Sequence, residues 1–178
     1  MASAVLLDAS VILNLIAAGP SLAIIESLGC NCFICTAAAS EAIYIRGDDP
    51  AQPPQAVSIE PWVQSSLVVV VSPEGSREEE LYVRFAANLD DGEAMSLAIC
   101  HARGHELATD DRKARRLARS LTPAAVDLLS TAEILHRWAD RTATEGEALR
   151  RVILAIENRA RFRPPLDDPL REWWMLGR

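Results

Sequence analysis

Four acidic side chains, Asp8, Glu41, Glu93 and Asp110, stand where a carboxylate can do chemistry. Asp8 follows the apolar run Ala4 to Leu7, and Asp110 follows the short apolar segment Glu106 to Ala108, so both lie at strand exits. Open α/β sheets place their ligands at that carboxyl edge. Glu41 sits in AAASEAIYI, where burying a glutamate is costly unless it is paired, hydrogen-bonded or bound to a cation. Glu93 belongs to an acidic helix entrance with Asp90 and Asp91. Brought together, such carboxylates repel one another and raise their pKa values unless a cation offsets the repulsion. Mg²⁺ or Mn²⁺ suits an all-oxygen set and keeps waters that can be activated. No thiol, lysine or histidine stands at these turns as a nucleophile, so metal-activated water attacking a phosphodiester is the simplest reaction class. Each acid also has a plainer reading. Asp8 or Ser10 could cap a helix, Glu41 could face water beside Arg46, and Asp90 with Glu93 has the spacing of a capping box.

The elements that must position these acids alternate along the chain. Ala4 to Leu7 reads as a buried strand, followed by a helix closed at Gly19-Pro20 and a second helix over Ser21 to Leu28. Asn31 to Cys35 is strand-like and runs into the helix carrying Glu41. Residues 47–61, with Asp48-Asp49-Pro50 and Pro53-Pro54, read as a surface loop, and Trp62 to Leu67 as a short helix. Leu67 to Val71 is a β-branched run for a central or edge strand. Ser76 to Asn88 is an amphipathic helix with Ser76 and Glu79 as its capping box and Glu78 to Glu80 as a solvated first turn. Asp90 opens the next helix, Gly104 closes it, Glu106 to Ala108 is a strand, and an arginine-rich helix follows. Ala125 to Leu129 is the last strand, and Ser130 and Glu133 cap the helix after it. This rhythm predicts a three-layer α/β/α sandwich with a mostly parallel central sheet over residues 1–140. Residues 141–178 form a helical extension, with a helix over Ala143 to Phe162. Its Trp173 and Trp174 dock either on this protein or on a partner.

With 178 residues, the chain is long enough for one domain with a full core. Hydrophobic residues at 49% and charged residues at 24% exclude a disordered chain. The net charge of −7 is unevenly spread, with three basic and thirteen acidic side chains in residues 1–100 and fifteen basic and twelve acidic in 101–178. A cationic face beside an acidic, metal-filled pocket is compatible with a phosphate substrate. Arg112, Arg115, Arg116 and Arg119 are predicted to share one helical face that either meets RNA phosphates or a partner, or is simply solvated. No run reaches the ~18 apolar residues of a membrane span, and the N-terminus has no secretory pattern, which predicts a cytoplasmic protein without membrane attachment. Cys30, Cys32, Cys35 and Cys100 lack paired-knuckle spacing and read as small buried residues rather than a disulfide or zinc framework.

Taken in order, LLDASVILNL, TAAASEAIY, LDDGEAMSLAICHARG and ATDDRKARRLA resemble the PIN-domain ribonucleases, particularly the VapC-like toxins and their close prokaryotic relatives. The resemblance spans roughly residues 4–135. It implies a PIN-like fold, metal-dependent RNA cleavage, a homodimer and, for a toxin of a type II toxin-antitoxin system, a cognate antitoxin. Carried onto this chain, it makes Asp8, Glu41, Glu93 and Asp110 the metal-binding catalytic acids, with Asp90 and Asp111 as further candidates. Ser10, Thr109, Ser130 and Thr131 would support them. The segment after Arg141 departs from compact family members. A haloacid-dehalogenase-type phosphatase would want an aspartate where Ser10 stands, a receiver domain would want a lysine at a late strand end, and a dinucleotide fold its glycine-rich turn. The serious alternative is a catalytically inactive PIN-like module that binds RNA or protein.

Overall fold

The structure, a computed structural model, describes residues 4–42, 44–47, 53–122 and 124–178. In chain order its elements are β1 (Ala4–Leu7), α1 (Ala9–Ala18), α2 (Ser21–Leu28), β2 (Asn31–Cys35), α3 (Thr36–Glu41), β3 (Tyr44–Ile45) and β4 (Gln55–Ala56). Then come α4 (Glu60–Gln64), β5 (Val68–Val71), α5 (Gly75–Ala86), α6 (Asp91–Arg103), β6 (Glu106–Ala108) and α7 (Arg112–Ser120). The last are β7 (Leu128–Leu129), α8 (Thr131–Thr142), α9 (Gly146–Arg159) and α10 (Arg171–Leu176).

Five strands form one parallel sheet in the order β5-β2-β1-β6-β7. β1 is central because Val5, Leu6 and Leu7 are buried, as a strand covered on both faces requires. One helical group, α1, α2, α8 and α9, packs together, and α3, α5 and α6 form another, giving the expected α/β/α sandwich. Leu6, Leu7, Ile12, Leu15, Ile34, Leu97 and Ile99 lie fully buried between the layers. The sheet order is what brings the acids together: β1 and β6 are neighbours, paired Leu7 to Ala108, so Asp8 and Thr109 to Asp111 leave the sheet side by side.

Several expectations are corrected. Part of the predicted 47–61 loop is structured, since Gln55–Ala56 pairs antiparallel with Tyr44–Ile45; Asp48-Asp49-Pro50 lies outside the described residues. Two-residue strands carry no alternation that a sequence could reveal. α5 begins at Gly75 with Glu74 as its N-cap residue, so Ser76 lies inside the first turn and caps nothing. Glu78 is buried, not solvated: its carboxylate accepts from Arg103 Nε at 2.7 Å and Nη2 at 2.8 Å, and from the Glu74 N–H at 2.7 Å. The guanidinium beside it holds the Glu78 carboxyl below its ordinary value. The run Leu67 to Val71 supplies an edge strand, with Val69 and Val70 exposed.

Both C-terminal tryptophans dock on this chain. Trp174 is fully buried, meets the Phe162 ring edge-on at 5.5 Å and donates Nε1–H to Glu157 at 3.1 Å. Trp173 packs edge-on against His136 at 4.9 Å. The buried Glu157 also accepts from Arg163 at 2.7 Å and Arg178 at 3.1 Å, so its desolvated charge is offset by two guanidinium groups. Among the described residues, no helix is long and apolar enough to cross a membrane.

Candidate active site

Asp8 ends β1 and enters α1 in an extended conformation, and its side chain caps nothing. Instead Oδ2 accepts hydrogen bonds from Ser10 Oγ at 2.9 Å and from Thr109 Oγ1 at 3.0 Å. Both hydroxyls were expected to support the acids, and both meet the same oxygen. The other oxygen, Oδ1, is buried and accepts no hydrogen bond. A buried carboxylate oxygen without a donor is costly. Burial pushes the Asp8 carboxyl above its ordinary range, opposed by the Ser10 and Thr109 hydroxyls and the Ala9 N–H and aided by nearby Asp90.

Glu41 closes α3, where its body is exposed while its carboxylate tip rests on the first turn of α6. The Gly92 N–H donates to Oε1 at 2.8 Å. A Cβ at position 92 would lie 2.2 Å from Oε2 and 2.8 Å from Cδ, so only glycine leaves this cradle open. Burial of the tip raises the Glu41 carboxyl, the Gly92 N–H opposes this, and Asp90, Asp8 and Asp91 raise it further.

The α6 entrance divides its acids by role. Asp90 is the helix cap, its Oδ1 accepting from the Glu93 N–H at 2.9 Å, and Asp91 accepts from Tyr82 at 3.0 Å. Glu93 has its carboxyl pushed up to about 7, first by burial and then by Asp111, Asp90 and Asp8. Asp8, Glu41 and Glu93 therefore share one negative field, although they come from three different elements.

Asp110 stands apart. Its Oδ1 accepts from the Thr131 N–H at 3.0 Å, and its Oδ2 from Thr131 Oγ1 at 2.5 Å and Asn14 Nδ2 at 2.9 Å. Burial raises its carboxyl against those donors. It joins the Asp8 group through one hydroxyl, since the Asp110 N–H donates to Ser10 Oγ at 3.4 Å. Asp111 caps α7 through the Lys113 and Ala114 N–H groups at 2.7 and 2.8 Å and faces Glu93 electrostatically. Ser130 caps α8 in a capping box with Glu133 and lines a cavity together with Asp110.

Asn14 and Gly92 are the residues that sequence reasoning missed. Asn14 is buried in α1 and bonds both Asp110 and Thr131 Oγ1, the latter at 3.0 Å. A lone amide inside VILNLIAA and a glycine in a helix's first turn were the available signals.

The four arginines of α7 divide between two cavities. Arg112, Arg115 and Arg119 line one cavity, whereas Arg116 and Lys113 line another with Asn88 and Leu89. At roughly 100° per residue the four lie within an arc of roughly 100°, with Arg115 and Arg116 at its two edges. Arg115 is also committed within the fold, its Nη1 donating to the carbonyls of Thr109 at 2.9 Å and Leu129 at 3.0 Å.

The side chains that share this field, Asp8, Glu41 and Glu93, offer carboxylate oxygens, and this chemistry fits a hard divalent ion. No group of three or more His, Cys, Asp or Glu side chains among the described residues is drawn into metal-ligating geometry. Mutual repulsion opposes that convergence until a cation offsets it.

A comparison with curated proteins and one with solved structures each gave no match. A family model described as a PIN domain matches residues 4–166, which takes in every acid described above. The chain belongs to the PIN-domain family, whose members are typically nucleases working with divalent metals.

Proposed function

We propose that this chain is an endoribonuclease that hydrolyses RNA phosphodiester bonds with Mg²⁺ or Mn²⁺, in the manner of the toxin of a type II toxin-antitoxin system. The observation that carries this reading is the buried, unpartnered Oδ1 of Asp8, set at a strand exit in the shared field of Glu41 and Glu93. Asp8, Glu41 and Glu93 would hold the ion, with Asp110 and Asp111 at the adjoining strand exit and Asp90 at its rim. Bound there, a divalent ion supplies Lewis acidity to the phosphodiester and to an attacking water.

The chain's own residues orient the acids. Ser10 and Thr109 fix Asp8 by occupying Oδ2, which leaves Oδ1 for the ion. The Gly92 N–H aims Glu41, and Thr131 with Asn14 immobilises Asp110 at the neighbouring turn. A homodimer and a cognate antitoxin are the partners expected of such a toxin in the cytoplasm, and exposed Val69 and Val70 on β5 offer apolar surface to one of them.

The test is incubation of the protein with mixed RNA in Mg²⁺ or Mn²⁺, with EDTA and Asp8→Asn as controls. Cleavage abolished by both controls is the expected result. Cleavage surviving both would come from a contaminant, and no cleavage at all would favour the inactive binding module.

A further inference from the structure

Beside Asp110, a cavity of about 300 Å³ opens between α7 and the segment Pro165–Pro169. On the α7 side it is lined by Arg112, Arg115 and Arg119, with Ser130 also lining it, and on the side of the C-terminal segment by Asp167 and Asp168. Among the described residues, no ion pair joins either aspartate to either arginine. The cavity thus presents a cationic wall and an anionic wall that do not satisfy each other.

The anionic wall is built in place. Asp168 Oδ1 accepts from the Leu170 N–H at 2.8 Å, and the Asp168 N–H donates to the Pro165 carbonyl at 3.1 Å. Among the described residues, Oδ2 of Asp168 accepts no hydrogen bond. Arg163 and Trp174, on either side of this segment, both bond the buried Glu157. The wall is preorganised, which lowers the ordering cost of binding.

A ligand matching both walls has an anion at one end and hydrogen-bond donors at the other, within the lower range of small-ligand sites, roughly 300 Å³ upward. We propose that the cavity is a subsite for one unpaired nucleotide of the RNA strand, its phosphate on Arg112 and Arg119 and a guanine base edge on Asp168, with Asp167 assisting. Guanine offers N1–H and N2–H side by side to a carboxylate, whereas uracil flanks its single N–H with two carbonyl oxygens that the carboxylate repels. Unpaired bases are commonly read by such edges. The subsite deepens the nuclease reading and rests on it for its place beside the scissile bond, but its occupancy is measurable without catalysis.

The experiment titrates the full chain with guanosine 5′-monophosphate and uridine 5′-monophosphate at low salt, followed by NMR. The guanosine nucleotide is expected to bind at least about fivefold tighter. Asp167→Asn with Asp168→Asn, which keeps an oxygen for the Leu170 N–H, should shrink that ratio to about twofold or less. Arg112→Gln should weaken both nucleotides alike. Equal binding by the unaltered chain, no binding, or a preference that survives the double substitution overturns the subsite. In parallel, fragment ends from mixed RNA should show guanosine at one fixed position beside the cut, lost in the double variant. Cutting without that bias also overturns the subsite. Absence of cutting sinks the nuclease reading alone, and the titration then decides the subsite.

Discussion

Gly92 and Glu41 are in contact at a point where no side chain fits: the Gly92 N–H donates to Glu41 Oε1 at 2.8 Å, and a Cβ there would approach Oε2 to 2.2 Å. The contact is between the backbone of one helix and the flexible end of a side chain from another. Replacing the glycine therefore moves Glu41 rather than breaking the fold.

Gly92→Ala separates stability from activity. Alanine favours the helix over glycine by about 1 kcal/mol, and the displaced carboxylate can turn towards water. The melting temperature without metal should stay level or rise, while RNA cleavage falls at least about tenfold. A variant that loses both together would show the glycine to be a packing requirement of α6.

Acid should stabilise the metal-free protein. Glu93 holds its proton up to about 7 when folded, against about 4.3 for a free glutamate. The folded state therefore binds more protons than the unfolded state across that window. Stability falls as pH rises through it and levels off above it. Asp8, Glu41 and Asp110 are raised too and act with the same sign. Thermal melts between about pH 5 and about pH 8 should show this fall, and Glu93→Gln should flatten it. Added Mg²⁺ should raise the melting temperature more at the alkaline end, where no proton has to be displaced.

The buried Glu78 depends on Arg103. Arg103→Met leaves its carboxylate without its charge partner, which costs about 3 kcal/mol. Chemical denaturation should register this as a lower midpoint, with cleavage per folded molecule unchanged because the pair lies away from the acids. A loss below about 0.5 kcal/mol would mean that water replaces the guanidinium.

Arginines of one helix should differ in kind. Arg115→Gln removes donors from two strand-end carbonyls and should cost about 1–2 kcal/mol of stability. Arg112→Gln and Arg116→Gln should cost less than about 0.5 kcal/mol each. Arg112→Gln alone should also reduce the salt dependence of RNA binding, by about 0.7 in the slope of log affinity against log salt. An unchanged slope would take Arg112 out of the substrate path.

Much of the architecture was legible because the strands and helices differ in period and length. Ala4–Leu7, Asn31–Cys35 and Glu106–Ala108 are strands where the apolar runs predicted them. The strand-exit position of Asp8 and Asp110 followed from the same pattern. The partners of each acid were not legible. Asp110 depends on Asn14 and Thr131, which lie 96 and 21 positions away, and no local rule links them. Arg115 and Arg116 are adjacent basic residues in sequence, and only packing separates the one tied to Thr109 and Leu129 from the one facing outward. Glu78 looked like its neighbours Glu79 and Glu80 until the fold brought Arg103 to it.

The hydrogen bond from Thr109 to Asp8 spans 101 positions of chain, and β1 finds β6 only over the same distance. During translation, Asp8 must wait until Thr109 has left the ribosome before its carboxylate can be fixed. The acids of β1 and β6 therefore cannot be gathered while the chain between them is still being made, however early Asp8 itself emerges.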